Sequence, residues 1–254
     1  MKVVIIAGGY GTRISEETIT KPKPMVEIGN EPILIHILKY FSSFGFNDFI
    51  IALGFKGDYI KRYMFDYLNF ESDLKINFKS KTIETLNKKN RPWNVTLVDT
   101  GEHTNTGGRL KRLEKYLKKD TFLFTYGDGL SDINLNTLIN THKKLKTLVT
   151  LTAVKAPPRF GNLKIEEDKV KKFTEKDPNA NEWINGGFMV MEPKIFDFLK
   201  SDEDSLEFDA LENLGSKGLL GTYKHSGFWK CMDSLKDKMI LNDIWNSKKV
   251  PWKK

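Results

Sequence analysis

The amino-acid pattern predicts an α/β fold: a mixed, mostly parallel sheet flanked by helices, with a small antiparallel subregion in its second half. Three observations carry this. Apolar runs of strand length alternate with amphipathic stretches of helix length through the first half of the 254-residue chain, the order expected of βαβ units. A glycine-rich turn stands directly after the first of these runs. Beyond about residue 155 the pattern changes to short segments of period two, which read as antiparallel strands.

In chain order, residues 2–7 form an apolar strand, and 32–44 carry Ile33, Leu34, Ile37, Leu38 and Phe41 on one helical face. A second strand at 48–53 leads to a helix at 58–70, whose Tyr59, Tyr63, Tyr67 and Phe70 form a packing stripe. Residues 75–80 and 94–98 read as strands around a polar insertion at 81–93, and 107–117 as a helix opening on a Gly-Gly pair. The most buried strand is expected at 121–126, ending in Gly127-Asp128-Gly129, followed by a helix near 135–145 and a strand at 147–154. In the second half, 162–173 reads as an antiparallel hairpin, with short strands at 188–191, 219–223 and 228–232 and helices at 193–200, 208–216 and 234–247. No Gly/Ser/Pro-rich linker, repeat or low-complexity segment interrupts the chain, so 1–254 reads as one continuous, Rossmann-like domain with halves 1–155 and 156–254.

Composition removes several classes. A single cysteine, Cys231, permits no intramolecular disulfide, and with four scattered histidines it cannot build a structural Cys/His zinc site. The longest apolar runs, VVIIA at 3–7 and FIIAL at 49–53, are too short to span a bilayer, and the mean hydropathy is −0.43. The first run leads into GGYGTR rather than a cleavage site. A cytoplasmic protein with no membrane partner is expected, in which the NVT sequon at Asn94 is idle. With 41 Lys and Arg against 33 Asp and Glu, the net charge of +8 raises nucleic acid as a partner. The lysines are dispersed among acids, however, with short runs only at 88–91, 143–146 and 248–254. Small polyanionic ligands suit that distribution better.

Three motifs carry chemistry. In Ala7-Gly8-Gly9-Tyr10-Gly11-Thr12-Arg13 the glycines let the backbone turn sharply and present successive N–H groups to an anion. Ile14 spoils the dinucleotide fingerprint, and Arg13-Ile14-Ser15 replaces the Gly-Lys-Ser/Thr of a P-loop. The Arg13 guanidinium can clamp a phosphate in two-pronged fashion. In Thr20-Lys21-Pro22-Lys23-Pro24-Met25, two lysines are held on stiff backbone; Lys21 reads as solvent-exposed and Lys23 as functional. Asp128, between glycines at the carboxyl end of a buried strand, is placed where open α/β sheets bind ligands. Asp233 is either a second carboxylate of that site or the cap of the helix from 234, and spacing does not decide between them. Phosphate clamps with one or two carboxylates describe metal-assisted transfer at phosphorus. No serine nucleophile elbow competes; Cys231 lies among bulky apolar neighbours, and His36 reads as a packed or boundary residue.

Gly8-Gly9-x-Gly11-Thr12-Arg13 followed by x-Lys-Pro-Lys23-Pro-Met resembles the signature of the sugar-1-phosphate nucleotidyltransferases, and the likeness runs through Gly127-Asp128 and Asp233 to nearly the whole chain. The segments at 15–29, 92–101, 106–112, 124–129, 185–188 and 227–238 are similar to the members that join CTP to α-D-glucose 1-phosphate. The resemblance implies a sheet of the nucleotide-diphospho-sugar transferase type, Mg²⁺ as cofactor, a homo-oligomer, and formation of CDP-glucose and pyrophosphate. It places Ile6, Ala7, Gly8, Gly9, Tyr10, Gly11 and Thr12 around the nucleotide, with Arg13 and Lys23 on its phosphates and Thr104, Arg109 and Gly127 in further contact. Asp128 and Asp233 would hold the metal, and Arg13, Lys23 and Asp128 are the candidate catalytic residues. On the sugar side it implies Gly161, Glu175, Lys176, Asn185 and Gly187; Asp177 separates Lys176 from the proline that directly follows this pair in relatives. The same reaction with dTTP or UTP, and a catalytically silent nucleotide-sugar-binding subunit, are the alternatives.

Overall fold

The computed structural model describes residues 1–87, 91–155, 162–166, 169–174 and 183–253. Their centre is a seven-stranded sheet. In chain order its strands are β1 (Lys2–Ile6), β2 (Asp48–Leu53), β3 (Asn94–Asp99), β4 (Phe122–Tyr126), β5 (Val149–Lys155), β6 (Trp183–Met191) and β7 (Leu220–His225). Their spatial order is β7-β5-β6-β4-β1-β2-β3. β1 lies parallel between β4 and β2, β2 is parallel to β3, and β5 is parallel to β7. β6 alone runs antiparallel to both its neighbours. The expected mixed, mostly parallel sheet is therefore present, and its strands come from both halves of the chain.

Why the first strand is apolar throughout follows from its place. Successive side chains point to opposite faces, and both faces of β1 are covered. Val3 and Ile5 join one core with Ile33, Leu34 and Phe41 of α1 (Ile33–Ser42), Phe49, Leu123 and Phe188. Val4 and Ile6 join the other with Leu110 of α2 (Thr106–Arg112), Phe124, Met189 and Leu206. Each such fully buried side chain contributes roughly 1.5–3 kcal/mol. The first core also takes Leu135 and Leu138 of α3 (Leu135–Leu145) and Leu241 of α4 (Leu235–Asn246).

Several elements differ from expectation. Residues 73–86 form an antiparallel hairpin, Asp73–Asn77 with Thr82–Leu86, rather than one strand and a polar insertion. The Asn77 side chain accepts from the Lys79 and Ser80 amides and makes the turn. The helix expected at 107–117 breaks at Leu113 into α2 and a turn at Glu114–Leu117. Residues 193–198 are a 3₁₀ turn, and the segment at 206–216 begins as a π turn, Leu206–Leu211. Of the aromatic stripe on the helix Gly57–Phe70, Tyr63 and Tyr67 pack as expected, Tyr67 stacking on Trp93, while Tyr59 is exposed. The hairpin at 162–173 is found as Asn162–Glu166 paired with Lys169–Thr174. A short antiparallel pair, Gly129–Ser131 with Trp229–Cys231, links the halves of the chain.

α2 owes its glycine pair to close packing. A Cβ at Gly108 would lie 2.5 Å from the Asp202 backbone, and one at Gly107 would lie 2.7 Å from the Asp204 carbonyl oxygen. Inside an open helix, Gly→Ala gains about 1 kcal/mol; here the backbone of the neighbouring loop reverses the sign. Gly108→Ala is expected to lower unfolding free energy by roughly 1–3 kcal/mol, measured by urea titration, and an unchanged or raised midpoint would contradict the packing.

Candidate active site

The glycine loop and Asp128 follow directly on the carboxyl ends of the parallel strands β1 and β4. Past β1, Ala7 still donates to the Ala52 carbonyl at 2.9 Å, and Gly8 accepts from the Phe55 amide at 3.1 Å. The loop then leaves the sheet. Gly11 takes a left-handed φ of 65°, which a residue with a Cβ adopts only under strain, and opens the 3₁₀ turn Thr12–Ile14. Gly9, Tyr10, Thr12 and Arg13 are consequently exposed, whereas Ile6, Ala7 and Gly8 are buried beneath them. The Tyr10 hydroxyl is 2.7 Å from His103 Nδ1, which ties the loop to the 101–104 segment.

Lys23 sits in a 3₁₀ turn, Lys23–Met25, entered through extended Pro22. Its Nζ donates to Asp128 Oδ2 at 2.6 Å and to Asp233 Oδ1 at 2.7 Å. Arg13 Nη1 donates to the other Asp233 oxygen at 2.9 Å. Asp128 is brought there by β4, anchored through the Gly127 amide on the Ile6 carbonyl at 2.9 Å. Asp233 is brought by the 129–131/229–231 pair, which continues in a bond from the Met232 amide to the Asp128 carbonyl at 2.9 Å. The choice left open for Asp233 is settled by its successor. Ser234 caps α4, accepting from the Asp237 amide, and the Asp237 carboxylate accepts from the Asp233 amide at 3.2 Å. The Asp233 carboxylate thus faces Lys23 and Arg13.

Burial pulls the Lys23 ammonium down, but the charges and hydrogen bonds of Asp128 and Asp233 outweigh it and hold its pKa above the ordinary lysine value. For Asp233, burial pushes the carboxyl up, while the Lys23 hydrogen bond and charge and the Arg13 charge bring it below the usual value. Cys231, expected among apolar neighbours, instead has its Sγ 3.5 Å from Asp233 Oδ2.

Two carboxylates that converge on one ammonium offer hard oxygen ligands to one divalent cation. No group of three or more His, Cys, Asp or Glu able to hold a metal occurs among the described residues.

Arg109 has a different setting from Arg13. It is 3% exposed. Its guanidinium donates to the carbonyls of Gly8 (3.0 Å), Leu53 (3.2 Å), Glu102 (3.0 Å) and Gly101, and to Thr100 Oγ1 (3.0 Å). Burial holds its pKa below the usual arginine value. Arg109 therefore fastens the glycine loop to the 100–102 turn, with buried Thr104 alongside.

On the other side of Asp128, the Tyr126 hydroxyl donates to Glu207 Oε1 and also meets the Asn185 side chain. Asn185 Oδ1 accepts from the Gly187 amide at 2.9 Å. Gly187 has φ of 80°, and a Cβ on it would lie 2.7 Å from the Tyr126 ring. Sequence reasoning singled out Asn185 and Gly187 and missed Tyr126 and Glu207. Tyr126 lay inside the FTYGDG segment; Glu207 had no motif around it. Gly161, Glu175 and Lys176 lie outside the described residues.

These settings separate two arginines by experiment. Arg109→Met removes a buried guanidinium that donates to four carbonyls and one hydroxyl and should cost roughly 3 kcal/mol or more of unfolding free energy. Arg13→Ala, with a side chain 71% exposed, should change it by less than about 1 kcal/mol. Chemical denaturation of both variants checks this, and equal losses would contradict the assignment.

Comparison with known proteins agrees with this geometry. The family model described as "Nucleotidyl transferase" matches residues 2–230. The chain is 48% identical to glucose-1-phosphate cytidylyltransferase of Salmonella typhi over 254 residues, covering 100% of this chain and 99% of the relative. It is 40% identical, with the same coverage, to a probable glucose-1-phosphate cytidylyltransferase of Bacillus subtilis (strain 168). Among solved structures, HddC from Yersinia pseudotuberculosis superposes with a TM-score of 0.72 at 24% identity, covering 96% of this chain and 99% of that one, a likeness of fold. The chain belongs to the nucleotidyl transferase family.

Proposed function

We propose that the protein transfers a cytidylyl group from CTP to α-D-glucose 1-phosphate, giving CDP-glucose and pyrophosphate. The observation that carries this reading is the convergence of Lys23, Arg13, Asp128 and Asp233 beside the glycine loop, in a chain 48% identical over its full length to a glucose-1-phosphate cytidylyltransferase. A phosphate oxygen of the sugar phosphate attacks the α-phosphorus. The new P–O bond forms as the bond to the β-phosphate bridging oxygen breaks, and that electron pair leaves with pyrophosphate. No covalent intermediate with the protein is involved.

The exposed backbone of Gly9–Thr12 presents N–H groups to the triphosphate, and Arg13 and Lys23 offset its charge. Lys23 does so by exchanging an aspartate partner for phosphate oxygen. Arg109 acts beneath the loop, keeping the Gly8 carbonyl turned inward so that the following amides face the ligand. Thr104, Gly127 and Ile6 line the nucleotide side. Asn185 and Gly187, with Gly161, Glu175 and Lys176, receive the sugar phosphate. Enzymes of this family use a divalent metal; we assign Mg²⁺, held by Asp128 and Asp233, which when bound neutralises charge on the phosphates.

The chain acts as one domain, 1–155 on the nucleotide side and 156–254 on the sugar side, in a cytoplasmic homo-oligomer that binds neither nucleic acid nor membrane. Among the described residues no helix is long and apolar enough to cross a membrane.

The test is pyrophosphate release from glucose 1-phosphate, Mg²⁺ and each nucleoside triphosphate supplied separately. Release with CTP, abolished by a chelator, is expected. Release only with UTP or dTTP would overturn the nucleotide assignment, and release with none would leave a silent binding subunit. Asp128→Asn and Arg13→Ala should each lose on the order of 10²–10³ in turnover at saturating Mg²⁺. Near-normal turnover by either variant removes that residue from its role.

A further inference from the structure

Beside the loop and the carboxylates lies a half-buried polar cluster that belongs to neither. Glu207 stands in the π turn Leu206–Leu211, a departure from α-helical winding that often marks functional positions. Ser205 caps this turn, accepting from the Phe208 amide, and its own amide donates to Asp209 Oδ2 at 2.7 Å. The Glu207 carboxylate is thereby fixed and fully engaged. One oxygen accepts from the Tyr126 hydroxyl, and the other accepts from Thr106 Oγ1 at 2.7 Å and Ser205 Oγ at 2.8 Å.

Burial pushes Glu207 up, but the hydrogen bonds from Tyr126, Thr106 and Ser205 win and bring it below the ordinary glutamate value. Burial and the Glu207 charge push the Tyr126 phenol well above the ordinary tyrosine value. Near neutral pH the pair is therefore a phenol donating to a carboxylate, a charge-assisted bond of defined direction.

Tyr126 is the last residue of β4, two positions before Asp128. β6 runs antiparallel to β4 with Met189 opposite Phe124, and two residues further along each strand the Tyr126 ring packs against Gly187. The same phenol meets the Asn185 side chain, which itself holds the Gly187 amide. The ring is thus a contact between the Asp128 turn and the Asn185–Gly187 bulge of β6, and its one hydroxyl fixes how it stands.

We propose that Glu207 is a positioning residue of the reaction, fixing through Tyr126 the Asn185–Gly187 bulge of β6 that receives the sugar phosphate. The inference rests on the function proposed above. It separates two effects: the Tyr126–Glu207 bond governs how well glucose 1-phosphate is seated, while the nucleotide loop, held by Arg109 and not by the phenol, is untouched when the Tyr126 hydroxyl alone is removed.

Steady-state pyrophosphate release with CTP, glucose 1-phosphate and Mg²⁺ tests it on wild type, Tyr126→Phe, Glu207→Gln, Glu207→Ala and the double variant Tyr126→Phe/Glu207→Ala. Tyr126→Phe deletes only the hydroxyl, and it should raise KM for glucose 1-phosphate by about tenfold, as loss of one charge-assisted bond does, and leave KM for CTP within about twofold. Glu207→Gln keeps an acceptor for the phenol and should lie nearer wild type than Glu207→Ala. The double variant should be no worse toward the sugar phosphate than Glu207→Ala alone. If Glu207→Ala does not fold, Tyr126→Phe and Glu207→Gln decide by the same split. An active wild type with an unchanged glucose 1-phosphate KM in Tyr126→Phe, or with equal rises in both KM values, overturns the inference alone. A wild type inactive with every nucleotide overturns the function and this inference with it.

Discussion

One ammonium group organises the site. Lys23 Nζ bonds Asp128 at 2.6 Å and Asp233 at 2.7 Å, joining three segments separated by more than a hundred residues on either side. Lys23 and Asp233 side chains are only 11% and 12% exposed, so neither charge has water enough to stand alone. Removing one partner of such a pair typically costs roughly 3–5 kcal/mol because the other is stranded. The short strand pair at 129–131 and 229–231 and the stiff Pro22–Lys23–Pro24 turn therefore have to be placed together. The same bonds pre-assemble two carboxylates around one cation, so the folding constraint and the phosphate chemistry share one geometry.

Around this centre the cations divide by exposure rather than by number. The net charge of +8 gives no hint of that division. Arg13 reaches across the surface with one hydrogen bond to Asp233, leaving most of its guanidinium in solvent. Arg109 spends its donors on backbone carbonyls and so stiffens the loop from below. Two arginines of one motif set thus do opposite work, one meeting charge and one holding backbone. Glu207 is likewise engaged within the protein, accepting from the Tyr126 phenol and from Thr106 and Ser205.

Much of the fold was legible because β1, β2 and β4 are buried on both faces and so carry unbroken apolar runs. The strand at 48–53 and the helix at 135–145 were placed to the residue. The hairpin at 73–86 was not, because its side chains are mostly exposed on both faces and leave no burial signature. The π turn escaped for a related reason: LEFDAL has helical composition, and residue type does not distinguish i→i+5 from i→i+4 winding. In the site, Lys23, Arg13, Asp128 and Asp233 were legible from glycine, proline and carboxylate punctuation. The cap at Ser234 decided what Asp233 spacing left open. Arg109 was legible as a charge but not as a buried one, because sequence does not show burial, and Glu207 was silent because its partners, Tyr126 and Thr106, are 81 and 101 residues away.

The claim on which the rest depends is that Lys23 and Asp233 stabilise one another directly. A double-mutant cycle in urea unfolding, on Lys23→Met, Asp233→Asn and the pair, measures this. The geometry predicts strong coupling, with the double variant less destabilised than the sum of the single variants by at least about 1.5 kcal/mol. Additive losses would contradict it, showing that the two charges are solvated separately and that the carboxylates are not gathered by the lysine.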